Sequence, residues 1–408
     1  MQKAVLYAQS GGPTSVINSS ACGVIRAAQE QNLKTYVALN GIAGIFSKTI
    51  VDVSFEDDKE IEKLCGTPAS AFGSCRVKLP DHTKDDSLYK IILEVFQKLN
   101  VRYFIYNGGN DSMNTCAKIS AYMKEQNYEC NVIGVPKTID NDLLATDHCP
   151  GYGSAAKYIA TTFYELALDT AVYQTGRVTV VEVMGRDAGW LTASSALAGL
   201  AGAAPDLIYL PERPFNLDDF VEKCQAVFKK KSSCLVAVSE GIRDKDGTYI
   251  CNYAKSSEKD AFNNTQLGGV GAFLAEEVTR RTGIKSRAVE LSLMQRCAAH
   301  IASKTDVQEA FEAGRQAVLA AVNGETGKMI VFKRISSNPY KIEYIPTKLD
   351  DIAKFTQSMP DEFIGEDSAS VTPAFIEYAK PLIQGELPLQ YENGLPVYAK
   401  LKKKLVEF

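Results

Sequence analysis

The chain has 408 residues, which at roughly 150 residues per domain predicts two to three domains, or one large α/β unit with a lobe added. Hydrophobic residues make up 45% and charged residues 23%, which excludes a disordered or fibrous chain. The net charge of −4 excludes a global basic field, so neither nucleic acid nor a membrane surface is expected as a partner, and local cations and backbone N–H groups must hold any anionic ligand.

Taken in chain order, the apolar run that opens Met1–Tyr7 is too short for a secretory leader. The longest stretches without formal charge, Ala4–Ile25 and Ala188–Pro205, are too small and polar for a bilayer core. A cytoplasmic location is expected. The ten cysteines form no CxxC pair and read as reduced, mostly buried thiols. With only His82, His148 and His300, a His-rich metal centre is not expected.

A single pattern recurs along the chain. Ala4–Ala8 leads to Ser10-Gly11-Gly12, Tyr103–Tyr106 to Gly108-Gly109-Asn110-Asp111-Ser112, and Val132–Val135 to Pro136-Lys137-Thr138-Ile139-Asp140. Val178–Met184 leads to Gly185-Arg186-Asp187, and Cys234–Val238 to Ser239-Glu240-Gly241. These runs are mostly apolar rather than alternating, as expected of strands buried on both faces of a parallel sheet. Helical faces lie between them: Ile17, Ala21, Val24 and Ala28; then Tyr158, Ile159, Phe163, Leu166 and Val172; then Val307, Phe311, Val318 and Val322. For the last helix, Thr305 or Asp306 is the expected N-cap and Gly324 lies past the end. Strands alternating with helices predict a doubly wound α/β architecture, in which ligands sit at the carboxyl ends of the strands. A domain change is expected near Asp147–Gly151. After about Lys328 a strand-like Met329–Phe332 and several prolines suggest an extension packed on the body.

The loops carry the chemistry. Two glycines in Ser10-Gly11-Gly12 let a ligand approach the backbone at a helix start, although a tight structural turn explains them equally well. Gly108–Ser112 repeats the device. Lys137-Thr138-Ile139-Asp140-Asn141-Asp142 sets two carboxylates beside a cation and a hydroxyl. Phosphoryl transfer needs a cation on the moving group and a carboxylate to take the acceptor's proton, so Asp140 or Asp142 suits that base; the string also reads as an Asx-rich turn. Arg76, Arg177, Arg186, Arg287 and Arg296 are candidate phosphate contacts or salt-bridge partners. The residues alone indicate an α/β enzyme that handles two phosphorylated species.

In this order the loops Gly11–Asn18, Gly108–Ser112, Lys137–Asp142, Val181–Arg186, Ser239–Gly241 and Arg287–Arg296 resemble the phosphofructokinase family. The resemblance implies two Rossmann-like lobes with mainly parallel sheets and the active site in the cleft between them. Residues 1–150 with about 295–325 would form the phosphoryl-donor lobe, 151–294 the fructose 6-phosphate lobe, and 326–408 a C-terminal extension. It implies Asp140 as the base for the 1-hydroxyl of fructose 6-phosphate, with Asp142 and Thr138 in support, and Arg186 on the transferring phosphoryl group. Met184, Gly185, Glu240 and Arg296 would contact the sugar phosphate, and Arg177 and Arg287 would reach the 6-phosphate from a neighbouring subunit of a homodimer or homotetramer. Gly11, Gly12, Arg76, Gly109, Asp111, Ser112 and Lys137 would face the donor.

Asp111 and Lys137 stand where ATP users of the family usually carry glycine, which places this chain with the pyrophosphate-dependent branch. A carboxylate at 111 adds bulk and charge where a nucleotide would lie, and a cation at 137 suits a compact diphosphate. The branch implies reversible transfer from pyrophosphate with Mg²⁺. Asn110 replaces the family's usual Mg²⁺-associated Asp, so either the ion is expected on Asp140, diphosphate oxygens and water, or Asn110 acts on it through a bridging water. Leu293 replaces a usual His or Tyr of the sugar-phosphate site, Cys297-Ala298 replaces a Gly pair, and Cys22 stands where allosteric relatives carry Arg. Two alternatives remain at this stage: the same transfer from ATP, and a non-catalytic sugar-phosphate sensor.

Overall fold

The computed structural model describes residues 2–253, 268–349, 352 and 356–408. Parts of the expected 151–294 lobe and of the 326–408 extension therefore lie outside the described residues. The strands, in chain order, are β1 Ala4–Gln9, β2 Lys34–Ala38, β3 Ile50–Asp52, β4 Val101–Gly108, β5 Asn131–Pro136, β6 Val178–Val183, β7 Leu207–Tyr209, β8 Cys234–Ser239, β9 Ser286–Glu290, β10 Lys328–Ser337 and β11 Tyr340–Lys348. The chain divides into two compact units: residues Met1–Ser154, Arg296–Thr356 and Gln384–Phe408, and residues Ala155–Gln295 and Gln357–Ile383.

The first unit is built on a seven-stranded sheet of order β11-β10-β5-β4-β1-β2-β3. Pairings from β2 through β1, β4 and β5 to β10 are parallel, and only the edge pairs β2–β3 and β10–β11 are antiparallel. Side chains alternate across it. Val5, Tyr7, Tyr103 and Ile105 enter the core on one face, whereas Leu6, Ala8, Phe104 and Tyr106 enter the core on the other. That is why β1 and β4 read as unbroken apolar runs. The winding reverses between β1 and β4, the switch point at which such sheets bind ligands. The turns after β1, β4 and β5 therefore lie side by side at the carboxyl edge. The β10–β11 hairpin extends this sheet through Lys328↔Ile133 and Met329↔Gly134.

The second unit carries a four-stranded, all-parallel sheet of order β7-β8-β6-β9. Val178, Val180, Val236 and Val238 bury one of its faces against the helices Leu217–Lys231 and Val270–Thr282. The turns after β6, β8 and β9 are neighbours at its carboxyl edge. β9 is an open edge, and its Arg287, Ala288 and Glu290 are exposed.

Two details of the helices depart from expectation. The helix Lys304–Val322 is capped by Ser303, whose side chain accepts from Asp306 N, and not by Thr305 or Asp306. The helix Tyr152–Thr170 stops before Val172, which is 68% exposed instead of buried on its apolar face. Among the described residues no helix is long and apolar enough to cross a membrane. All ten cysteines are free thiols.

Candidate active site

In the first unit the turn after β1 is the centre of the arrangement. Gly11 has φ 77, a left-handed conformation that glycine adopts without strain. Its N–H donates to Cys75 O at 3.1 Å, and its carbonyl accepts from Ser74 Oγ at 2.7 Å. This ties the turn to the segment that carries Arg76. Asn18 secures the approach to that segment: its Nδ2 donates to Thr67 O and Ala69 O, both at 2.8 Å, and its Oδ1 accepts from Ala71 N at 2.9 Å.

Three cations converge on this turn. A Cβ on Gly11 would lie 3.2 Å from Lys137 Nζ, and one on Gly12 would lie 3.2 Å from Arg296 Nη1 and 3.9 Å from Arg76 Nη2. Lys137 is 3% exposed and donates to Gly12 O at 2.7 Å. Burial pushes its ammonium down to about 8; Asp140 opposes that shift and Arg76 adds to it. Burial likewise lowers Arg296, with Arg76 adding to the effect. Cations gathered around a turn that carries no side chains form a place suited to an anion.

The turns after β4 and β5 complete this half. Gly109 lies against the Lys137 backbone, and Lys137 N donates to Gly108 O at 3.2 Å. Ser112 tucks its hydroxyl beneath Gly108, where any Cβ would collide with it. Asp111, in the first turn of the helix Asn110–Glu125, is exposed and pairs with Lys78 Nζ at 3.4 Å. Thr138 Oγ1 accepts from Asp140 N at 3.0 Å. Asn141, at φ 57, makes the sharp turn, and its Oδ1 accepts from Cys149 N at 2.8 Å. The side-chain turn is thus made by the Thr138 hydroxyl, and Asn141 instead holds the returning chain at Cys149, leaving Asp140 exposed and Asp142 half-buried on either side. Asn110 Nδ2 donates to Asp142 Oδ2 at 3.5 Å, while Asn110 Oδ1 is buried with no hydrogen-bond partner among the described residues.

The second unit holds another group. Met184, Gly185 and Arg186 follow β6, and Glu240 follows β8. Gly185 N donates to Glu240 Oε1 at 3.2 Å, and Ser239 Oγ donates to Gly185 O. A Cβ on Gly241 would lie 1.9 Å from Arg186 O, so only glycine lets the two turns meet. Met184 N donates to Gln295 Oε1 at 3.3 Å, while Gln295 Nε2 donates to Ser292 O at 2.8 Å. Leu293, beside it, is 53% exposed.

Arg177 and Arg287 are also brought together, at the opposite end of the same sheet. Both line a pocket of about 480 Å³ with Tyr173, Thr175, Lys285 and Ser286, and Arg177 lies 4.4 Å over the Tyr173 ring. The seven residue steps from Arg177 to Met184 run along a strand, which separates their Cα atoms by roughly 23 Å.

Three supporting residues were not singled out by the sequence. Asn18 and Gln295 stand within the motifs that carry the resemblance, without an expected role; a buried polar residue on an apolar helix face is the signal for Asn18. Lys78 had no signal. Arg296, expected at the sugar phosphate, sits beside Gly12.

Residues 4–321 match the family model described as phosphofructokinase. The chain belongs to the phosphofructokinase family. It is 45% identical over 412 residues to a protein of Halomonas elongata named pyrophosphate–fructose 6-phosphate 1-phosphotransferase, covering 100% of this chain and 98% of that one. Crystal structures described as pyrophosphate-dependent phosphofructokinases from Marinobacter aquaeolei and Nitrosospira multiformis share the fold. Their TM-scores are 0.89 and 0.90 at 38% and 39% identity, and each match covers 100% of this chain and 98% of the other.

Proposed function

We propose that this chain reversibly transfers a phosphoryl group from pyrophosphate to the 1-hydroxyl of fructose 6-phosphate, giving fructose 1,6-bisphosphate and phosphate. The convergence of Lys137, Arg76 and Arg296 on the Gly11–Gly12 turn carries this reading. Three positive charges around a turn without side chains suit a small, dense polyanion. Full-length relatives named for this reaction support the same donor.

The roles follow from the chemistry. The diphosphate lies against the turn, where Lys137 and Arg76 balance its charge. Asp140 takes the proton of the sugar's 1-hydroxyl as that oxygen attacks the near phosphorus in line. The bridging P–O bond breaks, and inorganic phosphate leaves with the electron pair. Thr138 holds the Asp140 backbone. Arg186 is assigned to the charge on the moving phosphoryl group, and Met184, Gly185 and Glu240 to the sugar. In reverse, Asp140 returns the proton. The anhydride and ester are close in free energy, so both directions run.

A divalent cation, Mg²⁺ in this proposal, fits the residues present. Asn110 Oδ1 is a buried oxygen without a partner among the described residues. No group of three or more His, Cys, Asp or Glu able to hold a metal occurs among those residues. That suits an ion that keeps waters and shares substrate oxygens. Asn110 and Asp140 would hold it, and it would spread the negative charge of the diphosphate.

Arg177 precedes β6 and Arg287 pairs with Thr179 from β9, at the end of the sheet opposite Met184–Arg186. We assign them to the 6-phosphate bound by a neighbouring copy, in a homodimer or homotetramer. The free thiols support a reducing, cytoplasmic setting.

A coupled assay with pyrophosphate, fructose 6-phosphate and Mg²⁺ tests the reading. Turnover is expected, and Asp140→Ser should lower kcat by about 10²–10⁴ with an unchanged circular dichroism spectrum. An unchanged kcat removes Asp140 from the mechanism, and binding without turnover in the unmodified protein makes it a sensor.

A further inference from the structure

His148 is 2% exposed and lies between two carboxylates: Nδ1 is 2.7 Å from Asp147 Oδ1 and Nε2 is 2.7 Å from Glu309 Oε2. A neutral imidazole has one N–H and satisfies one of them; only the imidazolium donates to both. The surroundings are balanced for that charge. Arg334 Nη2 pairs with Asp147 Oδ1 at 2.8 Å, and Tyr340 OH donates to Glu309 Oε1 at 2.6 Å. The four charges joined by these contacts, Asp147−, Glu309−, His148+ and Arg334+, sum to zero. A further carboxylate on the same helix as Glu309, Asp306, accepts from Gly151 N and Ser154 N, and the Phe332 ring packs T-shaped against the imidazole, centroids 5.1 Å apart. Burial alone would push the imidazole down, but the Glu309 charge and the hydrogen bonds to Asp147 and Glu309 raise it to about 9.

This cluster stands behind the loop that carries the base. The chain leaves β5 through Lys137–Asp142 and returns along Thr146–Gly151. The returning arm backs the outgoing one: Cys149 N donates to Asn141 Oδ1 at 2.8 Å, and Thr138 N donates to Pro150 O at 3.3 Å. The arm is itself fastened to β10, where Asp147 N donates to Phe332 O at 2.8 Å and Phe332 N donates to Thr146 Oγ1 at 2.9 Å. His148 adds the cross-brace from this arm to the helix Lys304–Val322.

We propose that His148 is a positioning residue: its buried imidazolium bridges Asp147 to Glu309, fixes the returning arm, and so keeps Thr138–Asp142 in the geometry in which Asp140 meets the sugar hydroxyl. The inference rests on Asp140 as the base.

The test compares the unmodified full-length enzyme with His148→Gln, Glu309→Gln and the double variant, in steady state with pyrophosphate and fructose 6-phosphate, well below the melting temperature. His148→Gln should lower kcat by about ten- to a hundredfold while KM for pyrophosphate stays within about threefold, because the loop is misplaced and the Gly11–Gly12 cradle is not. The double variant, again charge-balanced, should recover most of the loss. At saturating substrates the unmodified enzyme should lose kcat near pH 9, and His148→Gln should lack that limb. If His148→Gln does not fold, Glu309→Gln alone and the alkaline limb of the unmodified enzyme decide. Unchanged kcat in the folded variant, or no alkaline limb in the unmodified enzyme, overturns the proposal. Absence of turnover in the unmodified enzyme instead sinks the functional reading beneath it.

Discussion

Lys137 shows how one residue ties stability to ligand binding. Its ammonium is buried against Gly12 O, and burial lowers it from 10.5 to about 8. A lowered lysine costs stability while it is charged. That cost, on the order of 3 kcal/mol, is fully present below about pH 8 and fades as pH rises towards 10.5. Diphosphate relieves it by pairing the charge. Lys137→Met should therefore raise the melting temperature of the free protein and abolish the stabilisation by pyrophosphate; a lower melting temperature would mean that the hydrogen bond to Gly12 outweighs desolvation. His148 works in the opposite sense. Its raised value contributes stability that is fully present below pH 6.5 and is lost as pH rises through about 9. In Lys137→Met, the urea stability measured across pH 6.5 to 9 should contain a fall that disappears when His148→Gln is added; the same profile with and without His148→Gln would contradict it. Lys137 was legible as a loop cation, because the residues around it form a recognisable string. Its burial was not, since Gly11, Arg76 and Arg296 come from other segments. His148 was opaque for the same reason: Glu309 is 161 residues away.

Among the elements, the central strands were legible because they are buried on both faces. β2, β3, β7 and β9 were not, being short or on edges, where continuous apolar runs are not required. The first half of β11, Tyr340–Tyr344, alternates half-buried and exposed residues as an edge strand does. The cap of the helix Lys304–Val322 moved to Ser303 because the Asp306 carboxylate is engaged by Gly151 N and Ser154 N, a long-range contact with no local signal. That helix crosses Ile17–Glu30 at unusually close range. A Cβ on Gly23 would lie 2.0 Å from Phe311 O, and one on Gly314 would lie 2.1 Å from Ser20 O. Backbone lies against backbone here, and the helix Ile17–Glu30 starts directly after the Gly11–Gly12 turn. Gly314→Ala should therefore destabilise the protein by about 3 kcal/mol in urea unfolding and weaken pyrophosphate binding with it. A variant of unchanged stability would show that the helices separate freely.

At the scale of the whole molecule, the proposal that Arg177 and Arg287 serve a neighbour's sugar phosphate calls for more than one copy. Arg177 and Arg287 are at one end of β6 and the Met184–Arg186 turn at the other. If the pair serves a neighbour's sugar phosphate, Asp140→Ser and Arg287→Ala are defects in different halves of one shared site. Mixing the two inactive variants under conditions that exchange subunits should restore part of the activity, whereas no recovery would place each site within one chain. The identity of the donor remains the central claim. It is measured by the ratio of kcat/KM for pyrophosphate to that for ATP, in the unmodified chain and in the double variant Asp111→Gly, Lys137→Gly. A ratio far above one that moves towards ATP in the double variant is the predicted result; a ratio favouring ATP in the unmodified chain contradicts it.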